Sequence, residues 1–196
     1  DQRYFSKTLI LLVVNNLIST KEEVKLNNEK SISFLSKIIS VQKLKPKKLM
    51  GAEKQLNIAF IDASSKGKEL PEKDGGVGLA RKIGMDAALK LFDYNSTGKN
   101  IIGCLDADCT VSKNYFSELF EKFDDSNLFA AHVNFAHPLK GSDKNKAAII
   151  CYEIFLRYYL LGLKLANSPY AFFTIGSTMF CDTESYVKIG GMNKRK

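Results

Sequence analysis

The sequence lacks most of the short motifs that tie a chain to a particular chemistry. Its four cysteines, Cys104, Cys109, Cys151 and Cys181, include no C-x-x-C pair. Their spacing excludes a zinc ribbon or a disulfide framework and leaves reduced thiols, with Cys104 packed inside an apolar strand. There are two histidines, His132 and His137, too few for a histidine metal cluster. His137 stands beside Pro138 after a strand, at the border of any site there, and its plain reading is structural. No G-x-x-x-x-G-K-[ST] occurs, which excludes a P-loop, and no glycine fingerprint follows a strand directly, which excludes a Rossmann dinucleotide site. No run of about 20 apolar residues is free of charge. The most apolar stretch, residues 147–166, carries Glu153, Arg157 and Lys164 and reads as a packed amphipathic helix rather than a transmembrane span. No secretory leader pattern appears in the opening residues, so the expectation is a cytoplasmic protein, with the inner face of the membrane and a peripheral contact there as the alternative.

The chain has 196 residues, 45% of them apolar, which suits one α/β domain with a sizeable core and is short for two. The net charge of +8 fits an anionic partner: a phosphate-bearing ligand, a nucleic acid or an acidic membrane. The lysines are scattered, and no interleaving of aromatic and basic residues supports nucleic-acid binding, so none is expected. The densest basic run, within Lys43 to Lys54, reads as a solvated connection.

Apolar patterning predicts strands at Thr8–Val14, Leu56–Ile61, Asn100–Leu105, Leu128–Phe135 and Phe172–Phe180, the last interrupted by Gly176-Ser177. Helices are predicted over Asn27–Val41 (Ile32, Leu35, Ile38 and Ile39 on one face), from the glycines near 76 to about Phe92 (Ala80, Ile83, Gly84, Ala87, Leu91), after Ser112 as cap (Phe116, Leu119, Phe120, Phe123), over Asp143–Ala166 and over Thr183–Ile189. The Asp143–Ala166 helix is expected to bury Ile150, Cys151, Ile154, Tyr158, Leu161 and Leu165, with Glu153 and Arg157 as an ion pair one turn apart. Asp182 and Glu184 suit the start of the last helix. Strands alternating with helices predict a mostly parallel sheet covered on both faces, with ligands beyond the carboxyl ends of its strands.

Two segments carry chemistry. Asp106-Ala107-Asp108 follows an apolar strand. Two carboxylates at a strand tip repel unless a cation separates them, and hard ions such as Mg²⁺ or Mn²⁺ share such oxygens with substrate phosphates. The plain alternative is an acidic turn before a helix. Gly75, Gly76 and Gly78 open a helix whose first turns hold Arg81 and Lys82. Cations there oppose the helix dipole unless an anion sits among the backbone N–H groups. The plain alternative is a flexible loop with exposed charges.

The segment Gly76-Val77-Gly78-Leu79-Ala80-Arg81-Lys82-Ile83-Gly84, followed by a strand and then Leu105-Asp106-Ala107-Asp108, resembles the family 2 glycosyltransferases of the GT-A fold. In that family a "G-x-x-x-A-R-N-x-G" helix start precedes a strand ending in "D-x-D"; Lys82 stands here in place of the asparagine. Thr174-Ile175-Gly176-Ser177-Thr178 and Ile189-Gly190-Gly191-Met192 are similar to the family's acceptor-side segment. The resemblance implies a metal-dependent, inverting transfer of a sugar from a UDP- or GDP-sugar to a glycan or lipid-linked acceptor, as in polysaccharide biosynthesis. It further implies that Asp106 and Asp108 hold Mn²⁺ or Mg²⁺. Asn16, Gly76, Gly78, Arg81, Asp106, Ala107, Asp108, Gly176 and Ser177 would contact the nucleotide sugar, with Asn16 where the family places a uracil-binding aspartate.

The family's opening "P-x-Y-N-E" strand and the acidic pair after its glycine pair have no counterpart here. The expectation is therefore an internal fragment of a longer enzyme, inactive alone, with its base beyond Lys196. Two rivals are a sugar-phosphate nucleotidyltransferase on the same fold class and a GT-A domain that binds without catalysis.

Overall fold

The computed structural model describes residues 2–44, 57–124, 127–173 and 176–194. Most of the basic connection, from residue 45 on, therefore lies outside the described residues, as do Leu56, Thr174, Ile175 and the last two basic residues. The architecture is α/β. Strand β1 (Leu9–Asn15) leads through helix α1 (Glu22–Leu44) to β2 (Asn57–Ala63), and the two strands pair in parallel from Leu9–Asn57 to Asn15–Ala63. Such a pair requires a long crossover, which α1 provides. Ile32, Leu35, Ile38 and Ile39 on α1 are all half-buried along one stripe, as their spacing predicts.

Helix α2 (Val77–Ala88) ends in a 3₁₀ turn, Leu89–Leu91, and is followed by β3 (Ile101–Gly103), α3 (Tyr115–Asp124), β4 (Ala130–His132), α4 (Asp143–Leu165), a 3₁₀ turn Gly176–Thr178, β5 (Met179–Asp182) and α5 (Thr183–Lys188). Here the expected parallel sheet gives way to a different arrangement. Among the described residues there are two small sheets, and the second has the order β3-β5-β4 with both pairings antiparallel. β3 and β4 run in the same direction, joined by α3, and β5 is inserted between them in reverse. Apolar patterning identifies a strand but says nothing of its direction. A crossover fixes direction only for the strands that it joins. β5 comes back from α4 through the Gly176–Thr178 turn and enters from the opposite end. β3 and β4 are shorter than the apolar runs that contain them, and β5 overlaps the predicted Phe172–Phe180 strand only at Met179 and Phe180 and runs on to Asp182.

α2 touches both β1 and β3 and so joins the two sheets. A Cβ on Gly84 would stand 2.9 Å from a Val13 methyl, so helix and strand approach closely there. Ala63, Leu70 and Ala80 form a buried cluster, with Val13, Leu17, Leu79 and Ile83 packed around it. Leu91, expected on the inner stripe, is exposed instead because the helix has already ended at Ala88. α3 buries Leu119 and Phe123, and an N-terminal 3₁₀ turn (Gln2–Lys7) packs on it through stacked Tyr4 and Phe120 rings 4.8 Å apart. The helix starts later than Ser112, whose backbone oxygen accepts a bond from the Tyr115 amide. Asp182 caps α5, its carboxylate accepting from the Ser185 amide at 2.6 Å, as expected.

The clearest correction concerns α4. Ser142 caps it, yet among the described residues none of its side chains is buried. Ile150, Ile154, Tyr158, Leu161 and Leu165, all expected inside, are exposed, and so is Cys151. A helix that is apolar nearly all round has no pattern to say which side meets the core.

Candidate functional site

The carboxyl ends of β1 and β2 meet the start of α2. Asn16 is buried just past the end of β1. Its backbone N–H donates to Ala63 O at 3.4 Å, and its backbone oxygen accepts from the Leu70 amide at 2.8 Å. Its side-chain amide donates to Leu17 O at 3.0 Å, and its side-chain oxygen accepts from Asn28 of α1 at 2.9 Å. The residue thus pins the strand end to the following loop and to the crossover helix, and both polar atoms of its side chain already have protein partners. At the end of β2, Asp62 accepts from the amides of Ser64 (3.2 Å) and Ser65 (3.0 Å) and from Lys68 Nζ (2.9 Å). Burial alone would raise its carboxyl, but the Ser65, Lys68 and Ser64 hydrogen bonds outweigh it and hold the group well below the usual carboxylate range.

The glycines before α2 answer to close packing and backbone geometry. A Cβ on Gly75 would lie 2.1 Å from Leu17 Cδ2 and 2.3 Å from the Pro71 carbonyl oxygen. Gly76 sits at φ 142°, a conformation that favours glycine, and caps α2 with no side-chain bond. A Cβ on Gly78 would meet the Lys194 carbonyl oxygen at 2.8 Å, because the segment after α5 crosses the first turn of α2. Lys194 Nζ reaches Asp74 at 2.8 Å. The same segment is tied further along α2, where Tyr186 Oη donates to Asp86 at 2.8 Å and accepts from the Met192 amide at 3.0 Å. Burial pushes the Tyr186 phenol up to about 12; Asp86 adds to the shift and the Met192 amide opposes it. Lys82 pairs with Asp86 at 3.0 Å, one turn along the helix. These ties between Asp74, Asp86, Tyr186 and Lys194 escaped sequence reasoning; the only local signal was the Lys82/Asp86 spacing.

Arg81 joins the two motifs. Its Nη2 donates to Asp106 Oδ1 at 2.6 Å, linking α2 to the segment after β3. The Arg81 side chain is about nine-tenths buried, with 10% exposure, whereas Asp106 is 42% exposed. Nε and Nη1 of Arg81 are buried with no hydrogen-bond partner among the described residues. Unfilled donors on a buried cation are expensive, by roughly 1–3 kcal/mol or more each, so they mark a place where an acceptor is missing.

Asp106 begins a tight turn, its carbonyl accepting from the Cys109 amide at 3.0 Å. Ala107 and Asp108 are exposed in that turn. The Cys104 amide donates to Met179 O at 3.4 Å, extending the β3–β5 pairing toward the turn Gly176–Thr178, in which Ser177 is buried. Gly176 and Ser177 therefore lie at the same end of this sheet as Asp106. No group of three or more His, Cys, Asp or Glu side chains comes together among the described residues.

His137 and Glu153 make a separate polar knot. Glu153 accepts from the His137 amide at 2.9 Å and from its ring, and pairs with Arg157. The expected ion pair along α4 is thus present, and His137 is held against it. The His137 ring bond chiefly holds the Glu153 carboxyl below its usual value.

No protein-family model matches this chain, and no curated protein and no solved structure matches it either.

Proposed function

We propose that this chain is the nucleotide-sugar-binding core of a metal-dependent GT-A-fold glycosyltransferase of the family 2 type. The observation that carries the reading is Arg81: a buried guanidinium on the glycine-led helix, one nitrogen on Asp106 and two nitrogens without an acceptor. A diphosphate supplies the missing acceptors, and the planar fork of arginine suits phosphate oxygens. The Asp106–Asp108 turn offers carboxylate oxygens beside it. A bound Mg²⁺ or Mn²⁺ there would neutralise charge on the leaving diphosphate. Asp106 holds Arg81, and Arg81 orients the phosphates; Gly78 gives room to the segment at Asn193 and Lys194, which crosses the first turn of α2. Ser177, buried in the turn at the same end of the sheet as Asp106, would line the sugar or acceptor side.

Asn16 has a different part in this reading from a base-binding aspartate. With both side-chain polar atoms engaged, it holds the strand end in place rather than selecting the base, so UDP and GDP are taken with similar affinity. Calorimetry with UDP and GDP, with and without Mn²⁺, tests the proposal. Binding is expected to need the metal, and Arg81→Met or Asp108→Ala is expected to weaken it at least about tenfold, the loss of one charge-assisted contact. Metal-independent binding, or binding indifferent to both substitutions, sinks it.

A further inference from the structure

We infer that α4 lays its outward face on an anionic lipid surface. Residues Lys146, Ile149, Glu153, Leu156, Leu160 and Leu163 form a half-buried row at alternating three- and four-residue spacing. The opposite side is exposed and carries Ile154, Phe155, Tyr158, Tyr159, Leu161 and Leu165. From Ala147 onward that side holds no charged residue: Glu153 lies in the half-buried row, and Arg157 and Lys164 follow Lys146 along its margin. Glu153 is moreover paired with Arg157 and hydrogen-bonded to His137. A helix of this length spans on the order of 35 Å, and its exposed apolar side chains lie together along one side, the kind of patch that marks an interaction surface.

Charge decides what covers it. Lys144 lies in the first turn and Lys164 in the last. In an antiparallel pair of copies the first-turn lysines would stand against the last-turn lysine of the other helix, and in a parallel pair each lysine would face its own counterpart. Both arrangements set Lys144 and Lys164 against like charges, and the one acid at that end, Asp143, is already paired with Lys146 of its own helix at 3.1 Å. An anionic headgroup layer reverses that balance. The apolar strip enters the acyl boundary, the lysines reach up to the headgroups, and Tyr158, Tyr159 and Tyr170, all exposed, sit at the level where phenols are favoured. The net charge of +8 draws the chain toward the same surface. This holds whether or not the chain is a transferase, and no nucleotide measurement reads it. No described helix is long and apolar enough to cross a membrane, so the contact is parallel to the surface.

The test is co-sedimentation of the 196-residue chain with vesicles of phosphatidylcholine alone and of phosphatidylcholine mixed with phosphatidylglycerol. Binding is expected to the mixed vesicles and not to the neutral ones. Phe155→Asp combined with Tyr158→Asp is expected to lower the bound fraction at least about tenfold, while Leu26→Asp, at an exposed apolar site on α1, leaves it unchanged. Lys144→Glu with Lys164→Glu keeps the apolar strip and should still abolish the preference for anionic vesicles, which guards against a folding defect in the first variant. Failure to bind mixed vesicles overturns the inference. So does equal binding by the Phe155/Tyr158 variant, or a dimer in light scattering that this variant dissolves without any vesicle binding.

Discussion

The surroundings of α2 and the length of α4 treat the same kinds of residue in opposite ways. Around α2, small residues bring backbones close and almost every polar group is matched: Asn16, Asp62, Asp86 and Tyr186 all hold named partners. The buried guanidinium nitrogens Nε and Nη1 of Arg81, without a partner among the described residues, stand out against that background. Along α4, large apolar side chains face outward and the matched groups are confined to the Glu153, Arg157 and His137 knot. A deficit of acceptors marks one region and an excess of apolar surface marks the other. The first points to a small anionic ligand, the second to an extended surface.

The sharpest way to break this comparison is to truncate one large ring in each region. Phe123 is fully buried and Phe155 is 63% exposed. Phe123→Ala is expected to destabilise the chain by about 3–5 kcal/mol through lost burial and the cavity left behind. Phe155→Ala should change stability by less than about 0.5 kcal/mol, as exposed positions do. Urea midpoints for the two variants measure the contrast. Comparable losses would mean that α4 is packed in solution and that its outward face is not free. A smaller effect is expected at Gly75, where a methyl group would meet the Pro71 carbonyl oxygen at 2.3 Å. Gly75→Ala must move backbone and should cost about 1–3 kcal/mol. The same substitution at Gly98, around which a Cβ meets nothing, serves as the control.

How far each region could be read from sequence follows from the same contrast. The stripes of α1 and α3 alternate apolar and polar positions, so Ile32, Leu35, Leu119 and Phe123 were placed correctly from spacing alone. The Asp182 cap was legible because capping is local. α4 was legible as a helix and illegible as to burial, since its apolar residues surround the axis. Strand direction in the second sheet was hidden for a different reason: β5 pairs with strands far away in sequence, and no local pattern encodes which way it enters. Of the site, the glycine positions and the acidic turn could be seen as separate motifs. The Arg81–Asp106 bond, between residues 25 apart, became visible only when folded, and the Tyr186–Asp86 bond spans 100 residues with no local signal.

The smallest of these effects is also the one with a defined pH signature. Asp62 anchors the loop after β2 as an ionised carboxylate, and its folded-state value is depressed. Folding therefore favours the charged form. The resulting stability is fully present above the unfolded carboxylate range, around pH 4, and is lost as pH falls below it toward the folded value. Asp62→Asn keeps the shape and removes the charge, so it should destabilise by about 1–2 kcal/mol near neutral pH, the scale of hydrogen bonds to a charged group. The gap between wild type and variant should then narrow as the pH is lowered toward about 3, because the wild-type carboxyl gains a proton on unfolding there. Urea unfolding at the two pH values reads the gap directly. A gap that stays constant would mean that the Ser64, Ser65 and Lys68 contacts do not bind the charged form preferentially, and the matched polar network that sets the α2 region apart from α4 would lose its best-defined member.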